Sequence, residues 1–157
     1  MSLESELKLK EPIALLPHKA LLSIYYTASC LKKRADDFFR SFGLTDVQFN
    51  VMMLLCHQSG ELQGLSQAEL SDMMLVNRAN ITSLVDRMEK AGLVLRTTAP
   101  KDRRYNIVKM TPKGRKLFVR VEPLYVEQVK QLMAVFKQGD QKKLITMLEK
   151  VRRELFE

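Results

Sequence analysis

The fold of this chain is decided by residues 76–116, which read VNRANITSLVDRMEKAGLVLRTTAPKDRRYNIVKMTPKGRK. Between Arg78 and Lys116 eleven basic residues face three acidic residues, which gives this quarter of the chain a net charge of +8. All 157 residues together also carry +8, so the remainder of the chain is neutral. Positive charge confined to one segment is typical of a surface that binds a polyanion.

The stretch begins with a helix that has one apolar and one polar face. Asn77 can cap this helix and Gly92 can end it. Apolar residues recur on one face at helical spacing, namely Ile81, Leu84, Val85 and Met88. The opposite face carries Ala79, Thr82, Ser83, Asp86, Arg87 and Lys90, with Asn80 on its flank. We therefore expect a helix that packs on one side and offers hydrogen-bonding groups on the other.

Two short strands follow this helix. Residues 94–98 and 105–110 are rich in β-branched and aromatic side chains. The loop between them, residues 99–104, reads APKDRR and adds three basic residues. The sequence thus predicts a basic β-hairpin directly after the polar-faced helix.

Two capped helices precede the stretch. Thr45 and Gln48 have the spacing of a capping box, and Ser66 and Glu69 repeat it. The first helix is expected to bury Val47, Val51, Leu54 and Leu55, and the second to bury Leu70, Met73 and Met74. A short helix, a tight turn and a polar-faced helix form a helix-turn-helix, whose second helix can enter the major groove of DNA.

Helices with long apolar seams are expected at both ends of the chain. A first seam runs from Lys19 to Gly43, through Leu21, Ile24, Ala28, Leu31, Ala35, Phe38 and Phe42. Residues 1–17 form a loose arm or one short helical turn, with Pro12 and Pro17 interrupting any helix.

The C-terminal helices follow the same pattern. Thr111 and Pro112 start a helix that is expected to kink at Pro123 and continue to Phe136. Gly139 and Asp140 then separate it from a last helix with a seam of Leu144, Leu148, Val151 and Leu155. These seams can pair within one chain or between two chains.

Composition narrows the classes of function. The chain is 46% hydrophobic and 28% charged, as in ordinary globular proteins, and its pI near 9.6 favours nucleic acid as a partner over an anionic membrane surface. It shows neither a membrane-spanning run nor a signal peptide, so we expect no membrane partner and a cytoplasmic protein. No nucleotide-binding, metalloprotease or hydrolase motif occurs, and two His and two Cys lack zinc-ligand spacing. The sequence therefore indicates no enzyme, metal or cofactor.

The sequence from Leu65 to Leu117 resembles the MarR family of bacterial winged helix-turn-helix regulators. Its most diagnostic motif is the family's wing signature D-x-R-x-x-x-x-x-L-T, present as Asp102, Arg104, Met110 and Thr111, with Met in place of the usual Leu. The likeness extends over roughly residues 20–157.

The resemblance implies a mainly α fold with a small β-hairpin wing, in which a winged helix-turn-helix is flanked by N- and C-terminal dimerisation helices. Its regions would be an arm and dimerisation helix at 1–43, the DNA-binding region at 44–116 and dimerisation helices at 117–157. It also implies a homodimer on a pseudo-palindromic operator in double-stranded DNA, usually a repressor, often released by a small phenolic ligand or by cysteine oxidation.

By motif position, the resemblance assigns two groups of DNA-binding residues. The recognition helix would use Asn77, Arg78, Asn80, Thr82, Ser83 and Arg87, and the wing Lys101, Asp102, Arg103 and Arg104. Asp102 would pair with an Arg to hold the wing in shape, and Arg104 or Arg103 would enter the minor groove. The alternative is an ordinary Asp-Arg surface pair.

The resemblance also suggests an effector pocket near the junction between the terminal helices and the DNA reader. Its candidates are His18, Tyr25, Tyr26, Phe49 and Met52, although aromatic residues at helical spacing are more often core. Cys30 and Cys56 are candidates for a redox switch, weighed against a role as small buried apolar residues.

Two other functions fit the same residues. An architectural protein would bind DNA through phosphates without sequence choice. A winged-helix adaptor would bind another protein and carry its basic face incidentally. Relative affinity for specific and scrambled DNA distinguishes all three.

Overall fold

The structure, a computed structural model, describes residues 2–60, 64–74, 77–99 and 102–156, and for residues 99 and 102–105 it describes the backbone alone. In chain order the elements are α1 (Leu3–Glu6), α2 (Leu16–Arg40), α3 (Asp46–His57), β1 (Leu65–Ser66), α4 (Gln67–Met74), α5 (Arg78–Lys90), β2 (Val94–Ala99), β3 (Asp102–Met110), α6 (Pro112–Met133) and α7 (Gln138–Phe156). The fold is mainly helical with one small antiparallel sheet, which confirms the expected fold class.

The N-terminal arm contains more helix than its prolines suggest. α2 begins at Leu16 and includes Pro17 in its first turn, so the expectation that Pro17 interrupts any helix is wrong. Proline is tolerated there because the first amides of a helix lack intrahelical acceptors. Ahead of it, Ser2 caps α1, and Glu4 lies 2.6 Å from the ammonium of Lys19 on α2.

Both predicted capping boxes are present. The Thr45 amide donates to Gln48 Oε1 at 3.0 Å, and the Gln48 amide donates to Thr45 Oγ1 at 3.3 Å. The Ser66 amide donates to Glu69 Oε2 at 2.7 Å, and the Glu69 amide donates to Ser66 Oγ at 3.2 Å. These bonds fix where α3 and α4 begin.

The inward face of α4 differs from the prediction. Leu70 is buried as expected, but Met73 is 46% exposed and Ser71 is buried instead. The helix spans only about two turns, so its apolar periodicity alone does not determine which side chain meets the core.

The sheet has the strand order β1-β3-β2. The prediction of a two-stranded hairpin missed β1, which pairs Leu65 with Val108 and Ser66 with Ile107. β3 already begins at Asp102, so the predicted six-residue loop at 99–104 is too long. Ala99 pairs with Asp102, and the ladder is irregular between Thr98 and Ala99. Cross-strand pairing thus extends into the segment whose Pro, Lys and Asp residues suggested a loop.

The chain divides into two compact units, Met1–Thr111 and Pro112–Glu157. The first unit has a core drawn from its helices and sheet, in which the rings of Phe39 and Phe49 stack with centroids 4.5 Å apart. The fully buried side chains around them include Val51, Met52, Leu70, Ile81, Val85, Met88, Val94 and Val108. The division into three functional regions stays a prediction.

The second unit consists of α6 and α7. α6 continues through Pro123 to Met133, and α7 begins at Gln138, so Gly139 and Asp140 lie inside its first turn and do not precede it as expected. Along its described length α7 has no buried residue. In the part of the chain that the structure describes, no helix is both long and apolar enough to span a membrane.

Candidate nucleic-acid interface

α5 is the helix that the sequence predicts to read DNA. The side-chain Oδ1 of Asn77 accepts a hydrogen bond from the Asn80 amide at 2.9 Å and thereby caps the helix. The predicted apolar face is confirmed, since all four of its residues are buried: Ile81, Leu84, Val85 and Met88. The packing of this face determines which residues of α5 remain in solvent.

The opposite face of α5 is exposed as expected. The six candidate recognition residues are all exposed, two of them at the N-terminal end of the helix and the others along it, namely Asn77, Arg78, Asn80, Thr82, Ser83 and Arg87. Lys90 extends this face with a further exposed cation. Amide, hydroxyl and guanidinium groups on one exposed helix can donate to base edges and to phosphates.

The end of α5 is tied to the base of the hairpin. Gly92 adopts a φ of +71°, and the amide of Leu93 donates to the carbonyl of Met88 at 2.9 Å, which closes the helix. The Thr111 hydroxyl donates to the Gly92 carbonyl at 2.6 Å, and the Thr111 amide donates to the Leu93 carbonyl at 3.0 Å. The start of β2 and the end of β3 are therefore held at the C-terminus of α5.

Three of the four predicted wing residues lie where β3 begins. The backbones of Asp102, Arg103 and Arg104 lie at the start of β3. Their side chains, and the whole of Lys101, lie outside the described residues, so their contacts with DNA stay predictions.

Arg96 on β2 makes polar contacts with three side chains of α4 and α5, and the sequence alone indicated no role for it. Its Nη2 lies 2.6 Å from Asp86 Oδ1, and its Nη1 lies 2.6 Å from Glu89 Oε2. Its backbone amide also donates to Glu89 Oε1 at 2.8 Å. Asp86 and Glu89, the two acidic residues of α5, thus have the same cationic partner.

Two uncharged side chains complete this group. Arg96 Nε donates to Gln67 Oε1 at 2.8 Å, and Gln67 Nε2 donates to Thr82 Oγ1 at 3.0 Å. We call Arg96, Asp86, Glu89, Gln67 and Thr82 the Arg96 cluster. It joins β2, the first residue of α4 and the polar side of α5.

Strand register explains why Arg96 turns toward the helices. Arg96 pairs with Val108 on β3, and Val108 pairs with Leu65 on β1. Directly opposed residues of a sheet share a face, so Arg96 lies on the same side as two buried apolar residues. Two features of the sequence could have indicated this contact. Arg96 follows the apolar Val94 by two residues, and Asp86 and Glu89 are the two carboxylates on an otherwise basic helix.

The Arg96 cluster also perturbs ionisation. The Arg96 backbone and guanidinium hydrogen bonds lower the pKa of Glu89, although partial burial opposes this. Burial likewise disfavours the charged guanidinium, but hydrogen bonds to Asp86 and Glu89 raise the pKa of Arg96 on balance. The ionised forms of these groups stabilise one another.

The candidate effector residues lie in two different environments. Phe49 and Met52 are fully buried in the core beside Phe39. Tyr25 is 64% exposed on α2, where His18 is also exposed and Tyr26 half-buried. Their role in ligand binding stays a prediction.

The two cysteines differ from the expected buried role. Cys30 is exposed and Cys56 is half-buried, and both are free thiols. Cys30 lies close enough to Tyr26 that their electrostatic interaction raises the pKa of the tyrosine. Cys30 is exposed because α2 buries a single residue along its length, Phe39, so most of this helix lies in solvent within one chain.

Comparison with known proteins gives a consistent result. The family model described as "MarR family" matches residues 42–104. A putative transcriptional regulatory protein for the hcr operon of Thauera aromatica is 30% identical over 112 residues, which are 71% of this chain and 65% of that protein. The match therefore spans just under two thirds of the length of that relative.

Two solved structures show the same fold. A MarR family transcriptional regulator from Streptomyces coelicolor, in complex with DNA, has a TM-score of 0.78 and 25% identity, covering 93% of this chain and 92% of that one. CouR from Rhodococcus jostii, bound to p-coumaroyl-CoA, has a TM-score of 0.76 and 20% identity, covering 88% of this chain and 95% of that one.

Proposed function

We propose that this chain is a member of the MarR family of DNA-binding transcriptional regulators, which are not enzymes, and that it acts as a homodimeric repressor. The homodimer binds a pseudo-palindromic operator in double-stranded DNA, with one α5 in each of two successive major grooves. Half-sites about one helical turn apart, ~34–36 Å, match two such readers related by a twofold axis.

The observation that supports this proposal best is the exposed polar face of α5 beside the hairpin. Asn80 and Ser83 offer hydrogen bonds, while Arg87 and Lys90 add positive charge on the same helix. The carboxylate of Asp86 on this face lies 2.6 Å from Arg96, so its charge is compensated within the protein. A phosphate that approaches α5 therefore meets a cationic surface.

The homodimer is supported by the apolar residues that a single chain leaves in solvent. On α2, Leu21, Ile24 and Leu31 of the predicted seam are exposed. On α7, Val151 and Leu155 of the second seam are exposed, and Leu155 reaches 70%. Apolar seams on long helices favour pairing with a second copy, which buries them symmetrically.

The small aromatic effector is supported by exposed aromatic groups on α2. Tyr25 and His18 are open to a ligand, whereas Phe49 and Met52 can contact one only after the core around Phe39 rearranges. The solved relative CouR binds p-coumaroyl-CoA, a phenolic thioester. Oxidation of the exposed Cys30 is the alternative means of release.

Site selection from a random duplex library tests the proposal directly. The selected sequence should contain an inverted repeat and bind roughly 10³-fold or more tightly than scrambled DNA at physiological salt. Equal affinity for both would instead indicate an architectural protein. A chain that binds neither duplex at low salt would be an adaptor, and the proposal would be wrong.

The same assay identifies the trigger of release. Binding is measured with added phenolic acids and their CoA thioesters, and separately after peroxide treatment of wild type and of Cys30→Ser. We expect a phenolic compound to dissociate the complex with both proteins. Dissociation by peroxide alone, abolished by Cys30→Ser, would replace the ligand with the redox alternative.

A further inference from the structure

The Arg96 cluster lies beside the proposed DNA-reading face but is directed into the protein. We propose that Gln67 and Arg96 are positioning residues that hold α5 against the wing strand in its docking orientation, and that the hydroxyl of Thr82 serves this cluster instead of reading a base. The inference rests on the proposed function for its consequence in DNA binding, while its structural part can be tested without DNA.

Arg96 is the centre of the cluster because it bonds in several directions at once. Its two terminal nitrogens reach Asp86 and Glu89 on α5, and its Nε reaches Gln67 on α4. Its side chain is 23% exposed, so water screens these bonds less than it screens a fully exposed ion pair. A planar guanidinium with fixed donor directions constrains the angle between its partners more than a lysine would.

Gln67 connects Arg96 to Thr82 through hydrogen bonds from both ends of its side-chain amide. A guanidinium only donates, so the Gln67 oxygen must face Arg96 Nε, 2.8 Å away. The amide nitrogen of Gln67 then points toward Thr82 Oγ1 at 3.0 Å. Arg96 thereby fixes the orientation of an amide group that an isolated glutamine leaves free to rotate.

The hydroxyl of Thr82 is occupied by these internal bonds. Its single proton is donated to the Arg78 carbonyl at 2.9 Å, and one of its lone pairs accepts from Gln67. A hydroxyl has only one donor, so none remains for a base acceptor while this bond is kept. Ser83 and Asn80, exposed beside it on α5, are then the short polar residues that can read bases.

The cluster spans most of α5. Thr82 bonds back to Arg78 in the first turn, and Glu89 lies in the last turn. Rotation of α5 relative to β2 therefore breaks charge-assisted bonds at one end and the Gln67–Thr82 bond at the other. A recognition helix that is already held in position loses less conformational entropy when it binds DNA.

Hydrogen exchange of the free protein tests the structural part. Amides of residues 78–90 should exchange faster in Gln67→Ala and in Arg96→Gln than in wild type. The matched control is Arg40→Gln, which removes the same charge from an exposed pair with Asp37 on α2 and should leave these amides unchanged. Wild-type exchange rates in both cluster variants would overturn the inference, whether or not the protein binds DNA.

DNA binding separates positioning by Thr82 from base reading. We expect Thr82→Val to weaken binding roughly three- to tenfold, by the same factor for the selected operator and for each of its single-base variants. Thr82→Ser keeps the hydroxyl and should restore binding to within about twofold of wild type. Thr146→Val is the control, because Thr146 makes the equivalent bond to the Lys142 carbonyl on α7 at 3.1 Å.

A double-mutant cycle completes the test. If the two residues act through one bond, Gln67→Ala with Thr82→Val should weaken binding no more than the worse of the two single changes. Additive losses, or a loss confined to one base pair in Thr82→Val, would show that Thr82 reads DNA and would refute the inference. Failure of wild type to bind any duplex would refute the proposed function alone, since exchange still decides the cluster.

Discussion

At the scale of single residues, Gly64 shows how a missing side chain permits a strand. A Cβ at this position would lie 2.7 Å from the Val108 carbonyl oxygen and 2.9 Å from Lys109 Cγ. Contacts that short force the backbone apart, so β1 can approach β3 only because residue 64 is glycine.

This predicts different effects of two Gly→Ala changes on the free energy of unfolding. Gly64→Ala should lower the free energy of unfolding by about 1–3 kcal/mol through steric overlap. Gly139→Ala, where a Cβ meets nothing within 4 Å, should be neutral or raise stability by up to about 1 kcal/mol through helix propensity. Urea unfolding at one protein concentration measures both, and equal effects would contradict the close approach at Gly64.

A second residue-scale prediction concerns pH. The hydrogen bond from Lys19 is the main reason that the pKa of Glu4 falls from 4.5 to about 2. A lowered pKa in the folded state means that this link stabilises the fold above about pH 4.5, and that its contribution disappears as the pH falls toward 2. An NMR titration of the Glu4 carboxyl should give a value near 2 in wild type and a return toward 4.5 in Lys19→Gln. An unchanged titration in that variant would rule out the link.

The residue scale also shows what the sequence can reveal. The cap at Asn77 and the four buried residues of α5 followed from spacing, because both depend on neighbours within the helix. The role of Arg96 did not, because its partners are up to 29 residues away and only the strand register brings them together. The prediction that Met73 is buried was wrong for a related reason, since burial on so short a helix depends on neighbours outside that helix.

At the scale of elements, different residues of α5 are proposed to determine sequence preference and overall affinity for DNA. Asn80→Ala and Ser83→Ala should each change base preference at one operator position, by about 1–3 kcal/mol. Lys90→Ala should weaken all duplexes alike and reduce the slope of log affinity against log salt by about 1. Competition assays with single-base operator variants measure both effects, and intact preference in both polar variants would contradict this docking.

The hairpin gives the second element-scale prediction. Arg104→Ala should severely weaken operator binding, because a cation in a narrow minor groove lies where the potential of DNA is most negative. Thermal unfolding and the oligomeric state should match wild type, since the change is at the hairpin tip. Wild-type affinity in this variant would remove the wing from the interface. The control is Arg40→Ala, which removes one exposed arginine from α2.

The hairpin also separates what could be predicted from what could not. The two strands of the hairpin could be predicted from their β-branched residues. The third strand of the sheet, β1, is only two residues long, and one of them, Ser66, also caps α4. A pattern that already explains Ser66 as a cap gives no reason to place it in a sheet. The start of β3 at Asp102 could not be predicted either, because the charged residues there are typical of loops.

At the scale of the whole molecule, the apolar seams predict self-association. Sedimentation should show a dimer, and Leu148→Glu on α7 should shift it toward monomer, because the seam would carry buried charge. Glu149→Gln is the control, as it alters a neighbouring exposed position without adding charge to the seam. The monomeric variant should also lose roughly 10²-fold or more in operator affinity, since each half-site is then bound separately. A monomeric wild type would refute the homodimer.

The lack of any buried residue along α7 has a consequence for living cells. In the proposed homodimer a second copy covers this helix, and tertiary packing of that kind supplies most of the stability of a helix in a protein. The stability of such a homodimer would fall on dilution, because dilution removes the partner. The number of molecules per cell would set the folded fraction of the regulator as well as its amount, and a scarce regulator would be more exposed to proteases.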